Sequence, residues 1–256
     1  MATIAPTTPS RFAPDTRFFL TMAIVMAGIN VLAFSFFALM GISSFGAPLY
    51  IHLHAFTFFG WVAIYVTQNA LVATGSTTLH RRLGLFAAAY PLLMVVVGTL
   101  TTAYTAQRGT VPFFFAPAYF LAMNTINVLV FAGLIFAGVA ARRDTGWHRR
   151  LIYCGMASIM GPAFGRILPP PLLMAAGMPV ITALLCAFVV LGAVRDRMRS
   201  GRVHPAWLVG GAVLVAQWGV IEWVGNSRLG VSIYESVVAG TPGAAKPALE
   251  KGVMPG

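Results

Sequence analysis

Seven apolar runs alternate with short polar stretches along the chain, near residues 17–40, 51–73, 83–105, 115–141, 150–168, 172–194 and 206–225. A helix needs ~20 apolar residues to cross the ~30 Å hydrocarbon layer. Backbone groups in that layer meet no water, so only helices or closed barrels cross it. The runs are continuous and lack the alternation of barrel strands. The pattern predicts an all-α, polytopic membrane bundle of seven transmembrane helices over residues 17–225. Residues 1–16 are polar and rich in Pro and Thr, and read as a loose N-terminal segment. Residues 226–256 are rich in Gly, Ala, Pro and Lys, and read as a disordered tail. The first run is too long for a signal-peptide core and reads as a retained helix.

Composition supports the membrane reading. Of 256 residues, 58% are hydrophobic and 9% charged, against roughly 25% charged in soluble domains. The formal charge of +11 would suggest nucleic acid in a soluble protein. Its distribution excludes that partner here. Arg11, Arg17, Arg81, Arg82, Arg142, Arg143, Arg149, Arg150, Arg195, Arg197, Arg199 and Arg202 are twelve of the seventeen Lys and Arg residues, and all fall at one end of the predicted bundle. Basic loops stay in the cytoplasm. The expectation is therefore a multi-pass inner-membrane protein with its N-terminus cytoplasmic and its C-terminus outside. Its basic face would meet anionic lipid headgroups. Cys154 and Cys186 lie inside apolar runs and read as buried thiols. The last run holds no lysine for a retinal Schiff base.

Polar side chains inside a membrane are costly, so each is a functional candidate. In the second run His54, Trp61, Tyr65 and Gln68 are spaced 7, 4 and 3 apart, which puts them on one helical stripe. His52 points nearly the opposite way. Arg166 closes the fifth run, and Glu222 is the one carboxylate inside an apolar run. Both fall in the outer half with His54, so a Glu222–Arg166 pair is expected to offset the burial of each. Trp61, Tyr65, Gln68, Arg166 and Glu222 are thus candidates for a substrate pocket. Asn30, Asn69, Asn124 and Asn127 read as interhelical hydrogen-bonding groups.

A local repeat adds a second cluster. Leu79-His80-Arg81-Arg82-Leu83 opens the third run and Trp147-His148-Arg149-Arg150-Leu151 opens the fifth. A degenerate third copy surrounds His204. Two imidazoles on different helices can ligate a haem iron axially, which makes His80, His148 and, at the outer side, His54 candidate cofactor-binding residues. His54 and His80 are 26 residues apart, ~39 Å along one helix, so they cannot share a haem. No metal site is predicted.

These motifs resemble those of a large bacterial family of predicted membrane proteins of unknown function. The resemblance covers about residues 50–168. It rests on His54, Gln68, His80-Arg81-Arg82-Leu83-Gly84 and the His148-Arg149-Arg150-Leu151-Ile152 turn with Arg166 closing the helix. At Ile152 that family often has methionine. The resemblance implies no activity. A more distant similarity, in style alone, is to ascorbate-reducible b-type cytochromes, which implies paired histidines around haem b. Three functions follow as expectations. The first is a redox protein binding haem b or handling quinone. The second is a transporter or small-molecule binding protein using the outer polar cluster. The third is an accessory subunit whose basic inner face docks a partner.

Overall fold

The computed structural model describes residues 14–252. These form nine α-helices and a 3₁₀ turn, with no strand among the described residues. The helices are α1 (Pro14–Leu39), α2 (Leu49–Ala73), α3 (Thr77–Gln107), α4 (Pro117–Ala140), α5 (Thr145–Ser158), α6 (Gly161–Ile167), α7 (Pro170–Ser200), α8 (Pro205–Gly225) and α9 (Arg228–Val238). Six of them, α1, α2, α3, α4, α7 and α8, are long and apolar enough to cross a membrane. The all-α membrane architecture therefore stands.

The fifth run departs from the expected single helix. It divides into α5 and α6 at Ile159 and Met160. Pro162 has no N–H to give to the Ser158 carbonyl, and its ring crowds that carbonyl. Asp144 caps α5, its Oδ1 accepting from the Gly146 and Trp147 amides at 2.9 and 3.2 Å. Arg150, Leu151 and every residue from Tyr153 to Ser158 are buried. α5 packs against α1, α4, α7 and α8, so protein rather than lipid surrounds it. That is why it tolerates Arg, His and Ser where a lipid-facing helix would not.

Close packing around α5 uses glycine. A Cβ at Gly210 of α8 would collide with the Cys154 side chain, and one at Gly155 would collide with Ile135. The bundle centre is filled by Met26, Met94, Phe131, Ile135, Tyr153, Met156 and Leu214, all nearly inaccessible.

α7 is also broken. Ala176 leaves helical geometry at φ −150°, ψ 33°, three residues before Pro179. The Pro179 ring disfavours a carbonyl from Ala175 in the helical position. The break lies toward the end of the bundle opposite the arginines.

Residues 227–252 are ordered, against the disordered tail expected from composition. Arg228–Val238 is an amphipathic helix that buries Gly230, Tyr234 and Val238 and exposes Leu229 and Ile233. Gln107 Nε2 donates to the Val237 carbonyl at 2.9 Å, the Tyr234 hydroxyl donates to Gly243 O at 3.0 Å, and the Ala118 amide donates to Ala248 O at 2.9 Å. Apolar residues at helical spacing, hidden among glycines and alanines, gave this segment a face to bury. At the other terminus α1 begins at Pro14, inside the segment read as loose; residues 1–13 lie outside the described residues.

Candidate functional site

The predicted site residues separate into three places along the bundle axis. They do not form one pocket.

The arginine-rich end holds His80, His148 and Gln68. The two histidine rings lie 6.4 Å apart between centroids and nearly perpendicular, at 78°. His148 is positioned by the α4–α5 turn, where its Nδ1 lies 2.7 Å from the Gly138 carbonyl. A carbonyl can only accept, so His148 carries a proton on Nδ1 and an open lone pair on Nε2. Gln68 reaches across from α2. With its amide turned so that both ends find partners, its nitrogen donates to His80 Nδ1 at 2.5 Å and to the His80 carbonyl at 3.2 Å. Its oxygen accepts from the Gly84 amide at 3.0 Å. Neutral His80 therefore keeps its proton on Nε2. Both rings are half-buried.

Two imidazoles on one haem iron must each present a lone pair. Gln68 places a proton on the free nitrogen of His80, so the pair in this arrangement does not fit bis-histidine haem ligation. Among the described residues no three His, Cys, Asp or Glu groups gather to hold a metal ion. His204 does not join the pair. Its Nδ1 accepts from the Ala206 amide at 3.2 Å as the cap of α8, and its ring rests on Trp147. Burial, aided by the Arg150 charge, holds His204 below the usual imidazole range, although a smaller pull from Asp196 acts the other way.

Beside the histidines lies an ion network that the apolar pattern did not reveal. Arg150 donates to Asp196 Oδ2 through Nε at 2.8 Å and Nη2 at 2.6 Å, and Trp207 Nε1 donates to the same oxygen at 2.8 Å. Asp15 pairs with Arg149 at 2.7 Å and Arg195 at 2.6 Å. These contacts tie α1, α5, α7 and α8 together. The sequence signal was a carboxylate set between Arg195 and Arg197, masked by the many arginines around it.

The middle holds Trp61 and Tyr65. Both are 3% exposed. Trp61 packs edge-on against Phe131 with centroids 5.1 Å apart. The helical stripe predicted from their spacing does face the interior. It spreads over the bundle's thickness, however, so Trp61 and Tyr65 are core and Gln68 belongs with His80. Asn127 accepts from Gln217 Nε2 at 3.0 Å across α4 and α8. Asn69 and Asn124 donate back to their own helices.

The opposite end divides again. His54 stacks on Phe58 at 4.2 Å, and its Nδ1 is buried without a hydrogen-bond partner among the described residues. His52 lies apart, with Nε2 3.2 Å from the Phe45 carbonyl. Arg166 lies over Phe34 at 4.0 Å and Phe37 at 5.2 Å, and its Nη1 donates to Pro162 O at 2.9 Å. The expected Arg166–Glu222 pair is not made. Arg166 faces α1, because the break before Pro162 redirects α6, and α6 packs on α1 and α7. Glu222 instead accepts from the Tyr119 hydroxyl at 2.7 Å and Trp218 Nε1 at 3.1 Å through Oε1, and from Asn226 Nδ2 at 3.3 Å through Oε2. Tyr119, Trp218 and Asn226 were not singled out in the sequence. Trp218 and Asn226 lie four residues either side of Glu222, a spacing that shares a helical face.

The chain matches no family model, no curated protein and no solved structure.

Proposed function

We propose that the chain crosses an inner membrane seven times, N-terminus cytoplasmic and C-terminus outside, and that Gln68, His80 and His148 form a proton-transfer site for a quinone-class ligand at the inner face. α5 and α6 together make the seventh crossing, from Thr145 to Ile167. The orientation is supported by Arg17, Arg81, Arg82, Arg142, Arg143, Arg149, Arg150, Arg195, Arg197, Arg199 and Arg202, which gather at one end of the bundle.

The observation that carries the site is the complementary state of its two histidines. His80 offers an N–H at Nε2 and His148 a lone pair at Nε2, within one ring-pair spacing of 6.4 Å. A quinol hydroxyl both accepts from the first and donates to the second, and a quinone carbonyl accepts from the first. Histidine is suited to this exchange because its unperturbed pKa lies near neutrality. Both rings sit at the membrane edge, where a lipid-soluble ligand arrives from the bilayer.

The test is calorimetric titration of the detergent-purified protein with a short-chain ubiquinol kept reduced. The native chain is expected to bind it, and His80→Ala and His148→Ala each to weaken binding at least about tenfold, or ~1.4 kcal/mol. Unchanged affinity in both variants overturns the site. A Soret band that shifts on dithionite reduction and disappears in either variant replaces this reading with a b-type cytochrome.

A further inference from the structure

At the outer end, a cavity of about 330 Å³ lies between the ends of α4, α7 and α8, within the size range of small-molecule sites. Phe114, Phe115 and Tyr119 form one wall, and Met174 and Met178 line the break in α7. Glu222 sits on the α8 side. The tail passes over this end, where the Ala118 amide holds Ala248 O at 2.9 Å and Leu249 and Lys251 join the lining.

The charge balance of the cavity points to its ligand. The three donors on Glu222, from Tyr119, Trp218 and Asn226, are all neutral. Among the described residues no Lys, Arg or His pairs with it. Lys251 is the one basic group in the lining, and its ammonium turns to the Met174 carbonyl at 3.3 Å. A carboxylate held by neutral hydrogen bonds, facing aromatic walls, is matched by a compact organic cation. The carboxylate supplies the charge, and the aromatic faces attract an alkylammonium through their quadrupoles.

We propose that this cavity binds a small organic cation, with its ammonium group against Glu222 and its alkyl surface against Phe114, Phe115 and Tyr119. The site is independent of the inner histidine pair. Lys251, in the lining, is a competing positive charge. The same ammonium chemistry is carried by free solutes and by the phosphatidylethanolamine head.

The experiment is calorimetric titration of the full chain in nanodiscs with choline, its neutral carbon isostere, and betaine as a zwitterion. Choline is expected to bind at least about tenfold more tightly than the neutral isostere, a difference of ~1.4 kcal/mol. Glu222→Gln keeps an acceptor for Tyr119 and is expected to remove that preference. Met178→Trp fills the cavity without touching the carboxylate and is expected to abolish binding, with the fold checked by circular dichroism. Lys251→Gln is expected to leave choline binding unchanged or tighter. Equal affinity in phosphatidylglycerol discs with and without phosphatidylethanolamine identifies a free cation as the occupant. Loss of choline binding only when phosphatidylethanolamine is present identifies the lipid head, at the same site. Equal binding of choline and the neutral isostere overturns the proposal. So does a preference for betaine that Lys251→Gln removes, which would make the site zwitterion-specific.

Discussion

Asp196 accepts from both the Arg150 guanidinium and the Trp207 indole while only 5% exposed. Removing one partner of a buried pair strands the other charge, at a cost of about 3–5 kcal/mol. Asp196→Ala is therefore expected to lower stability by that much, measured as a shift of the unfolding transition in mixed detergent micelles. Asp15→Ala is expected to cost about 1 kcal/mol or less, because the Asp15 side chain is 37% exposed and solvent screens its two pairs. Equal losses in the two variants would contradict the burial argument. At this scale the sequence was only partly legible. His80 and His148 were paired from their matching local contexts, and the structure brings them together. For Arg166 and Glu222 the sequence gives a shared depth and nothing more. Depth says nothing of the rotation of a helix about its axis, and Glu222 turned toward Tyr119 while Arg166 turned toward Phe34.

The same distinction applies to whole helices. Six of the apolar runs became single helices or, in α7, a helix with one break, because run length against bilayer thickness sets their existence. The fifth became α5 and α6, since Pro162, four residues after Ser158, interrupts the backbone ladder there. α5 meets α8 through Gly210, where any Cβ strikes the Cys154 side chain. Gly210→Ala is expected to destabilise the protein by about 1–3 kcal/mol through overpacking, in the same unfolding assay. Gly219→Ala on the same helix meets nothing within 4 Å. It is expected to be neutral or stabilising by up to about 1 kcal/mol through helix propensity. If both substitutions behave alike, the close α5–α8 approach is wrong.

For the molecule as a whole, the proposed seven crossings make a prediction that six would not. Arg143 lies before α5 and Thr241 follows α9, with α5–α6, α7 and α8 between them. Arg143→Cys and Thr241→Cys, each made in a chain with Cys154 and Cys186 replaced by Ala, are to be treated with a membrane-impermeant maleimide. Thr241→Cys is expected to label in intact cells and Arg143→Cys only after permeabilisation. Labelling of both from one side would mean that α5–α6 enters the bilayer without crossing it. The reverse pattern would invert the orientation.

The sequence by itself determined that this is a helical membrane protein, roughly where its long helices lie, and which end carries the arginines. Those properties are written linearly, because the bilayer acts as a solvent on each stretch of chain in turn. It also determined that the His54–Trp61–Tyr65–Gln68 stripe of α2 turns inward, since lipid rewards no polar face. Only the tertiary structure decided which polar groups meet. Gln68 joined His80, Asp196 joined Arg150, and Glu222 joined Tyr119. It likewise decided that the glycine-rich tail folds against the end of the bundle opposite the arginines. Such contacts depend on how helices rotate, break and pack against one another, and residues far apart in the chain settle that together.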